Sequence, residues 1–309
     1  KIPLLLILLT MPTLVTNSCS SSKSDAPTKD GKTTNPAPEN VGGDSTSTGQ
    51  APTPAGGTAS TPVPRQDPGS ETTSIPGNTT QTDPTSIGAF KHPGVLVDAK
   101  RLDFIKTQIK AGVEPFASAY KLAEGSPSGS LSYKVKGVPD GKGTNGSGNG
   151  AAGLIECGSS SVPDNGCTTE KADATAAYTQ ALLWAISGNK VYAQNAIKIM
   201  NEYATNLKSG HTGSNAPLQA AWAMENFPAA AEIIRYTDAG WDPADIKKFE
   251  TMLKTQYLPA INGSGAYGKN GNWQLSEIDG MLGIAVFTED KKLFDTAVGL
   301  WKEWVPSYF

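Results

Sequence analysis

From residue 98 to residue 304, apolar side chains recur at helical spacing, and most breaks between the runs are short turns of Gly, Asp and Asn. Such a period favours amphipathic helices and leaves little room for strands. In "DAKRLDFIKTQIKAG" Leu102, Ile105 and Ile109 share a face, with Asp98 as the expected N-cap and Gly112 as the stop. "EPFASAYKLAEG" predicts a second helix. Ala174, Tyr178, Ala181 and Ala185 line up in a third, and Tyr192, Ala196, Ile199 and Tyr203 in a fourth. Pro228 interrupts "APLQAAWAMENFPAAAEIIRYTDAG" and must kink or restart that helix. "DPADIKKFETMLKTQYLPAI" opens with Asp242 as cap and Pro243 at the first helical position. Two more helices follow. The one after Asn272 is expected to bury Leu275, Ile278, Leu282 and Ala285, with Gly280 and Gly283 letting another helix come close. The last, "TEDKKLFDTAVGLWKEW", is expected to be capped by Thr288. The expected class is all-α. Helices joined by tight turns pack as successive antiparallel pairs, which fits a bundle, a solenoid or a closed ring alike.

The first part of the chain adds nothing to such a core. Residues 20–87 contain no Phe, Trp, Tyr, Leu or Met. Their Ser, Thr, Pro and Gly cannot bury enough apolar surface to offset the entropy of ordering, so 19–87 is expected to be a disordered linker. Residues 1–18, "KIPLLLILLTMPTLVTNS", have the pattern of a secretory signal peptide. Cys19 follows directly, and either lipidation there or ordinary cleavage fits. The expected location is outside the cytoplasm: periplasmic, secreted, or anchored to the outer membrane as a lipoprotein. The folded domain is expected over 88–309. Lys1, in place of a Met, and the closing "WKEWVPSYF" read as cut ends, so the folded domain is expected to be truncated at its C-terminus.

Residues 125–169 read as one long Gly- and Ser-rich loop, of the kind that forms a lid or groove wall. Cys157 and Cys167 bracket a Pro/Asn/Gly turn within it and suit a local disulfide. Closing so short a loop stabilises by about 2–3 kcal/mol in the chain-entropy model. The expected bridge pins a surface loop, because a zinc site would need a His or further Cys nearby. Net charge is −3 and no dense basic run occurs, which disfavours nucleic acid. With only His92 and His211, a His-rich metal centre has few residues to draw on. No metal or cofactor is expected.

Two stretches carry polar and aromatic residues where a plain core would not. In "GKNGNWQLSEIDGMLGIAVFTED" Asn272 falls at or next to a helix start. It either caps the helix or, with the free N–H groups there, meets an anion. Trp273 is either a core anchor or a platform for a sugar ring. In "HTGSNAPLQAAWAMENFPAAAEIIRY" Gln219, Trp222 and Asn226 fall at i, i+3 and i+7 on one face, a pattern suited to a groove for polar rings and also to a partly exposed seam. His211 lies in the Gly-rich loop before them, as a substrate contact or simply solvated.

These stretches, together with "HPGVLVDAKRLDFIKTQIKAG" and "CGSSSVPDNGCTTEKADATAAYTQALLWAISGN", resemble the alginate lyase superfamily of helical polysaccharide lyases. The resemblance runs from about residue 90 to the end. It implies an incomplete ring of helical hairpins, an (α/α) toroid, and β-elimination at a uronic acid of an acidic polysaccharide such as alginate, polymannuronate or glucuronan. It places Asn272 as the group that neutralises the uronate carboxylate, with Asn226 as a second. Where the family has a His after that Asn, this chain has Trp273, which points to a related branch. The family's catalytic Tyr and Arg are expected beyond residue 309. Trp273, Trp222, Gln219 and His211 are the expected substrate contacts, and the expected state is a monomer. Two other readings stay open. A toroidal glycoside hydrolase would use two of Glu225, Glu277 and Asp279, and a non-catalytic glycan-binding lipoprotein would use the tryptophans alone.

Overall fold

The first helix begins where Asp98, in extended backbone, accepts the Arg101 N–H at 2.7 Å. A cap of this kind contributes about 1 kcal/mol. The computed structural model describes residues 88–143, 148–262 and 271–308. The expected signal segment 1–18, Cys19 and the linker to residue 87 lie outside the described residues. Helix α1 spans Ala99–Lys110, buries Leu102 and Ile105, and is followed by Gly112 at φ +67°. Helix α2 is Phe116–Gly125. Helix α3, Cys167–Ser187, ends at the left-handed Gly188, and α4, Lys190–Asn206, is capped by Asn189. Pro228 does restart a helix: α5 is Ala216–Met224 and α6 is Phe227–Arg235, with Glu225 and Asn226 at the break. Helix α7, Pro243–Met252, is capped by Asp242 and runs through a π-turn, Leu253–Tyr257, into α8, Leu258–Asn262. Helix α9 is Asn272–Phe287, α10 is Lys291–Trp304, and a 3-10 turn, Val305–Tyr308, follows.

Packing sorts these helices into two rows. Helix α3 packs against α5 and α6, and α9 packs against the same two. Helix α4 packs on α3, beside α7 and against α6, while α10 packs on α9. The approach is close because the facing residues are small: Ala174, Ala177 and Ala181 of α3 and Ala229, Ala230 and Ala231 of α6 are wholly buried. Between the rows lies an aromatic cluster. Phe227 stands 5.1 Å from Tyr203, 6.0 Å from Phe249 and 6.2 Å from Tyr257, and Phe249 stands 5.7 Å from Phe287, all tilted or edge-on. Burying such rings stabilises by about 2–3 kcal/mol each.

Three expectations change here. Residues 125–169 are not one loop. Strand β1, Ile155–Ser159, pairs antiparallel with β2, Val162–Asn165, and parallel with β3, His211–Thr212. Ser160 and Ser161 turn the hairpin with positive φ, a demand usually met by Asn-Gly, which is why the sequence gives no hairpin signal. The Cys157–Cys167 disulfide forms as expected, with Cα atoms 5.4 Å apart, but it is no surface pin. Both cysteines are buried, and the bridge ties the central strand to the first residue of α3. The cap of α10 is Asp290, which accepts from the Leu293 N–H at 3.0 Å. Thr288 instead ends α9, its hydroxyl donating to the Ile284 carbonyl at 2.8 Å.

Candidate active site

Helix α9 is buried on most of its circumference, so its exposed residues mark an accessible side. Those residues are Asn272, Leu275 and Asp279, at i, i+3 and i+7. They form one stripe about 10 Å long at 1.5 Å per residue. Leu275 was expected in the core; it is 38% exposed because it lies on this stripe. Gly280 lies beside this stripe, and Gly283 continues its line one turn further on. A Cβ on Gly280 would lie 3.0 Å from the Met224 Cβ, and one on Gly283 would lie 3.2 Å from the Pro228 Cβ. Backbone contact this close seats α9 directly against the α5/α6 break.

At that break Glu225 is half-buried. Burial, and then the charge of Asp279, pushes its carboxyl up to about 7, against the pull of a hydrogen bond from Ser276 and the charge of Lys171. Asp279 stays exposed, yet the protein atoms crowding it also push its carboxyl up. Glu225 and Asp279 thus act on each other where α9 meets the α5/α6 break. Lys171, from the start of α3, lies over the Trp222 ring at 4.7 Å. Asn226 donates from Nδ2 to the Trp222 carbonyl at 3.3 Å. Trp222, Glu225 and Asn226 from the break, Lys171 from α3, and Ser276 and Asp279 from α9 thus make one cluster.

The other expected site residues divide. Asn272 is the first residue of α9, but Gly271 at φ +87° occupies the cap position. The capping role expected of Asn272 is therefore not the one it has, and its side chain is exposed on the stripe. Trp273 beside it is half-buried. Gln219 is turned inward: its Nε2 donates to the Cys167 carbonyl at 3.0 Å, and it is 4% exposed. Helices α3 and α9 cover both flanks of α5 at that level, so only the Trp222 and Asn226 end of the expected polar face reaches the surface.

His211 is neither solvated nor part of this cluster. Its side chain is wholly buried, with Nε2 2.8 Å from Glu170 Oε1, and the Tyr257 hydroxyl donates to the same oxygen at 2.6 Å. One turn along α3, Asp173 accepts from the hydroxyls of Tyr133 at 2.7 Å and Tyr203 at 3.1 Å, and from the Gly137 N–H at 2.8 Å. Burial pushes the Asp173 carboxyl up despite these bonds, and burial followed by the nearby acids pushes the Tyr203 and Tyr257 phenols well above their usual range. Burial alone does the same to Tyr178. This network crosslinks α3, α4, β3 and the π-turn.

His92 is sealed too. It sits between Glu232, 2.8 Å from its Nδ1, and Glu289, and stacks on Tyr236 at 4.2 Å. Glu277, one of the carboxylates weighed above, is buried. Among the described residues no three His, Cys, Asp or Glu side chains are placed to hold a metal, and no helix is long and apolar enough to cross a membrane. An open depression of about 720 Å³ lies elsewhere, on α4, lined in part by Lys190, Lys198, Asn201 and Glu202. The sequence reading missed Lys171. A lysine one turn inside a helix has no signal of its own, and only the fold brings it onto Trp222.

The family model described as Alginate lyase matches residues 155–308, from β1 to the final 3-10 turn. The chain carries an alginate lyase superfamily domain. Comparison with curated proteins and with solved structures gives no match. The alginate lyase domain belongs among polysaccharide lyases and implies a polysaccharide substrate. Its matched residues include every member of the cluster around Trp222 and the exposed stripe of α9. The buried disulfide of the alginate lyase domain fits an oxidising, exported setting.

Proposed function

We propose that the protein cleaves a uronic-acid polysaccharide by β-elimination, with the polymer lying along the cleft between the α9 stripe and the α5/α6 break. The observation that carries this reading is Asn272: within an alginate lyase domain, an exposed residue with an amide side chain stands at the first turn of α9, on the same stripe as Asp279. The C5 proton of a uronate is hardly acidic while its carboxylate holds full charge. An amide N–H and the positive end of a helix lower that charge as the enolate-like intermediate forms. A base takes the C5 proton, the freed electron pair forms the C4=C5 double bond, the C4–O4 bond breaks with an acid protonating the departing O4 oxygen, and an unsaturated uronate end remains. Asn226 and Lys171 supply further donors, and Trp222 and Trp273 supply ring surfaces for the sugar. Gln219 and His211, committed to buried partners, support the wall rather than touch the polymer.

In this reading the two rows of helices belong to an incomplete (α/α) toroid over residues 88–309. Residues 1–18 export the chain, and 19–87 tether it as a monomer, with Cys19 as the point of any lipid anchor. One observation favours a second reading. Glu225 and Asp279 are two acids close enough for one charge to act on the other, the kind of pair a glycoside hydrolase uses. Offering alginate, polymannuronate, polyguluronate and glucuronan to the protein separates the two. Ultraviolet absorbance of the unsaturated end rises for a lyase, whereas new reducing ends without that absorbance would establish a hydrolase and overturn the proposal.

A further inference from the structure

The segment that carries His92 crosses α6, α9 and α10. The His92 ring is 2% exposed and stacks on Tyr236 at 4.2 Å. Its Nδ1 lies 2.8 Å from Glu232 Oε2 of α6, and its Nε2 faces Glu289 Oε1 in the turn between α9 and α10. The backbone on either side repeats both contacts. The Gly94 N–H donates to the same Glu232 oxygen at 2.8 Å, and the Ala89 N–H donates to the other Glu289 oxygen at 2.8 Å. Phe90 meets Phe294 of α10 at 5.1 Å, and a Cβ on Gly94 would touch the Val286 side chain of α9 at 3.6 Å. Two glutamates thus hold residues 88–97 onto the helices beneath.

These contacts fix the charge of the ring. A neutral imidazole has a single N–H, so it donates to one carboxylate and turns a lone pair toward the other. Carboxylates at both nitrogens therefore call for the imidazolium. Glu232 needs that charge most. Its side chain is wholly buried, its Oε1 has no hydrogen-bond partner, and His92 is its one cation among the described residues. A buried carboxylate stripped of its cation is strongly destabilised. The other charged groups here are paired with one another: Arg235 of α6 with Glu250 of α7 at 2.9 Å, Lys254 of the π-turn with Asp290 at 3.7 Å, and Lys291 with Asp295 of α10. Lys91 of the segment is exposed, and the Tyr236 phenol, which burial pushes up to about 12, stays neutral.

We propose that residues 88–97 form a strap that His92, as an imidazolium, locks onto α6 and the α9–α10 turn, and that the strap opens when His92 gives up its proton. This holds whether or not the protein is a lyase. Burial disfavours the charged ring, but the bonds and charges of Glu232 and Glu289 prevail and raise its pKa above 6.5. A group raised on folding holds the strap fully below its unfolded value and releases it as pH climbs through the folded one. Opening lets water reach Glu232 and uncovers Tyr236 and Phe294.

The test is hydrogen exchange of residues 88–97 in the full chain at about pH 6 and about pH 9, corrected for intrinsic rates, with α3 as internal reference. In the wild type the strap is expected to be protected at the lower pH and to lose about tenfold or more of that protection at the higher, while α3 does not change. Glu289→Gln is expected to keep the strap protected at both values within about threefold. The neutral ring then donates from Nδ1 to Glu232 and accepts at Nε2 from the Gln amide, whose oxygen still takes the Ala89 N–H. His92→Gln has no ring to charge, so its strap is expected to be poorly protected at both values. Equal protection of the wild-type strap at both values would overturn the proposal. Loss of protection at the higher pH in Glu289→Gln would overturn it as well, and that variant decides even if His92→Gln does not fold.

Discussion

Glu170 and Glu225 are both glutamates beside aromatic rings, and each has a second acid nearby. Glu170 is sealed, with the Tyr257 hydroxyl and His211 on one of its oxygens, and Asp173 one turn away is held by two tyrosines and backbone N–H groups. Glu225 is open to the cleft, and what bears on it is one serine, one lysine and an acid of the same sign. Donors packed around an acid turn it into a crosslink. An acid left half-wet with another acid nearby is harder to ionise. The difference separates scaffold from site in a chain where composition alone treats the two glutamates alike.

Substitutions sharpen or break this contrast, most strongly in the sealed region. Glu170→Ala leaves the Tyr257 hydroxyl and His211 without their shared acceptor. It is expected to cost about 3 kcal/mol or more, because each stranded buried polar group costs about 1–3 kcal/mol. Denaturant unfolding measures this, and a loss below about 1 kcal/mol would mean that the network carries no weight. Trp222→Ala is expected to do the reverse: KM for the polymer rises about tenfold, equivalent to 1.4 kcal/mol, while stability changes by no more than about 1 kcal/mol from the lost contact with Lys171. Unchanged KM with a large loss of stability would make Trp222 a core residue.

His92 tests the sealed region by pH. Burial disfavours its charged form, but hydrogen bonds and charge from Glu232 and Glu289 outweigh that and raise its pKa above 6.5. A raised folded value means the stabilisation is complete below the unfolded value and is lost as pH rises through the folded one. Thermal melting is therefore expected to weaken from about pH 6.5 upward, and the weakening should flatten in His92→Gln. The same fall in both proteins would discard the assignment. The smallest effect is expected at the start of α10, beside the Glu289 that holds His92: Asp290→Ala removes the helix cap and costs about 1 kcal/mol, with kcat/KM unchanged.

The helices were legible because their signals are local. Asp98, Asp242, Pro228 and Gly112 act within a few residues of themselves, and each does what its chemistry requires. The hairpin was not legible because Ser160 and Ser161 take left-handed backbone without the usual glycine. The site was legible in part. Trp222, Asn226 and Asn272 stand out as polar or aromatic residues at helix breaks and starts. Gln219 and His211 carried the same outward signal and proved buried, since whether a helix face is covered depends on which neighbour packs there. Lys171 and the pairing of Glu225 with Asp279 arise only when three helices meet, so no window of sequence contains them.

The central claim is that the α9 stripe does chemistry while the network beneath α3 only holds it. The most direct measurement is the rate at which Asn272→Ala releases unsaturated uronate, taken with its melting temperature. The expected result is a fall of about a hundredfold in kcat/KM, the cost of losing one donor to a developing anion, with melting unchanged. A folded Asn272→Ala protein that cleaves as fast as the wild type would contradict the account.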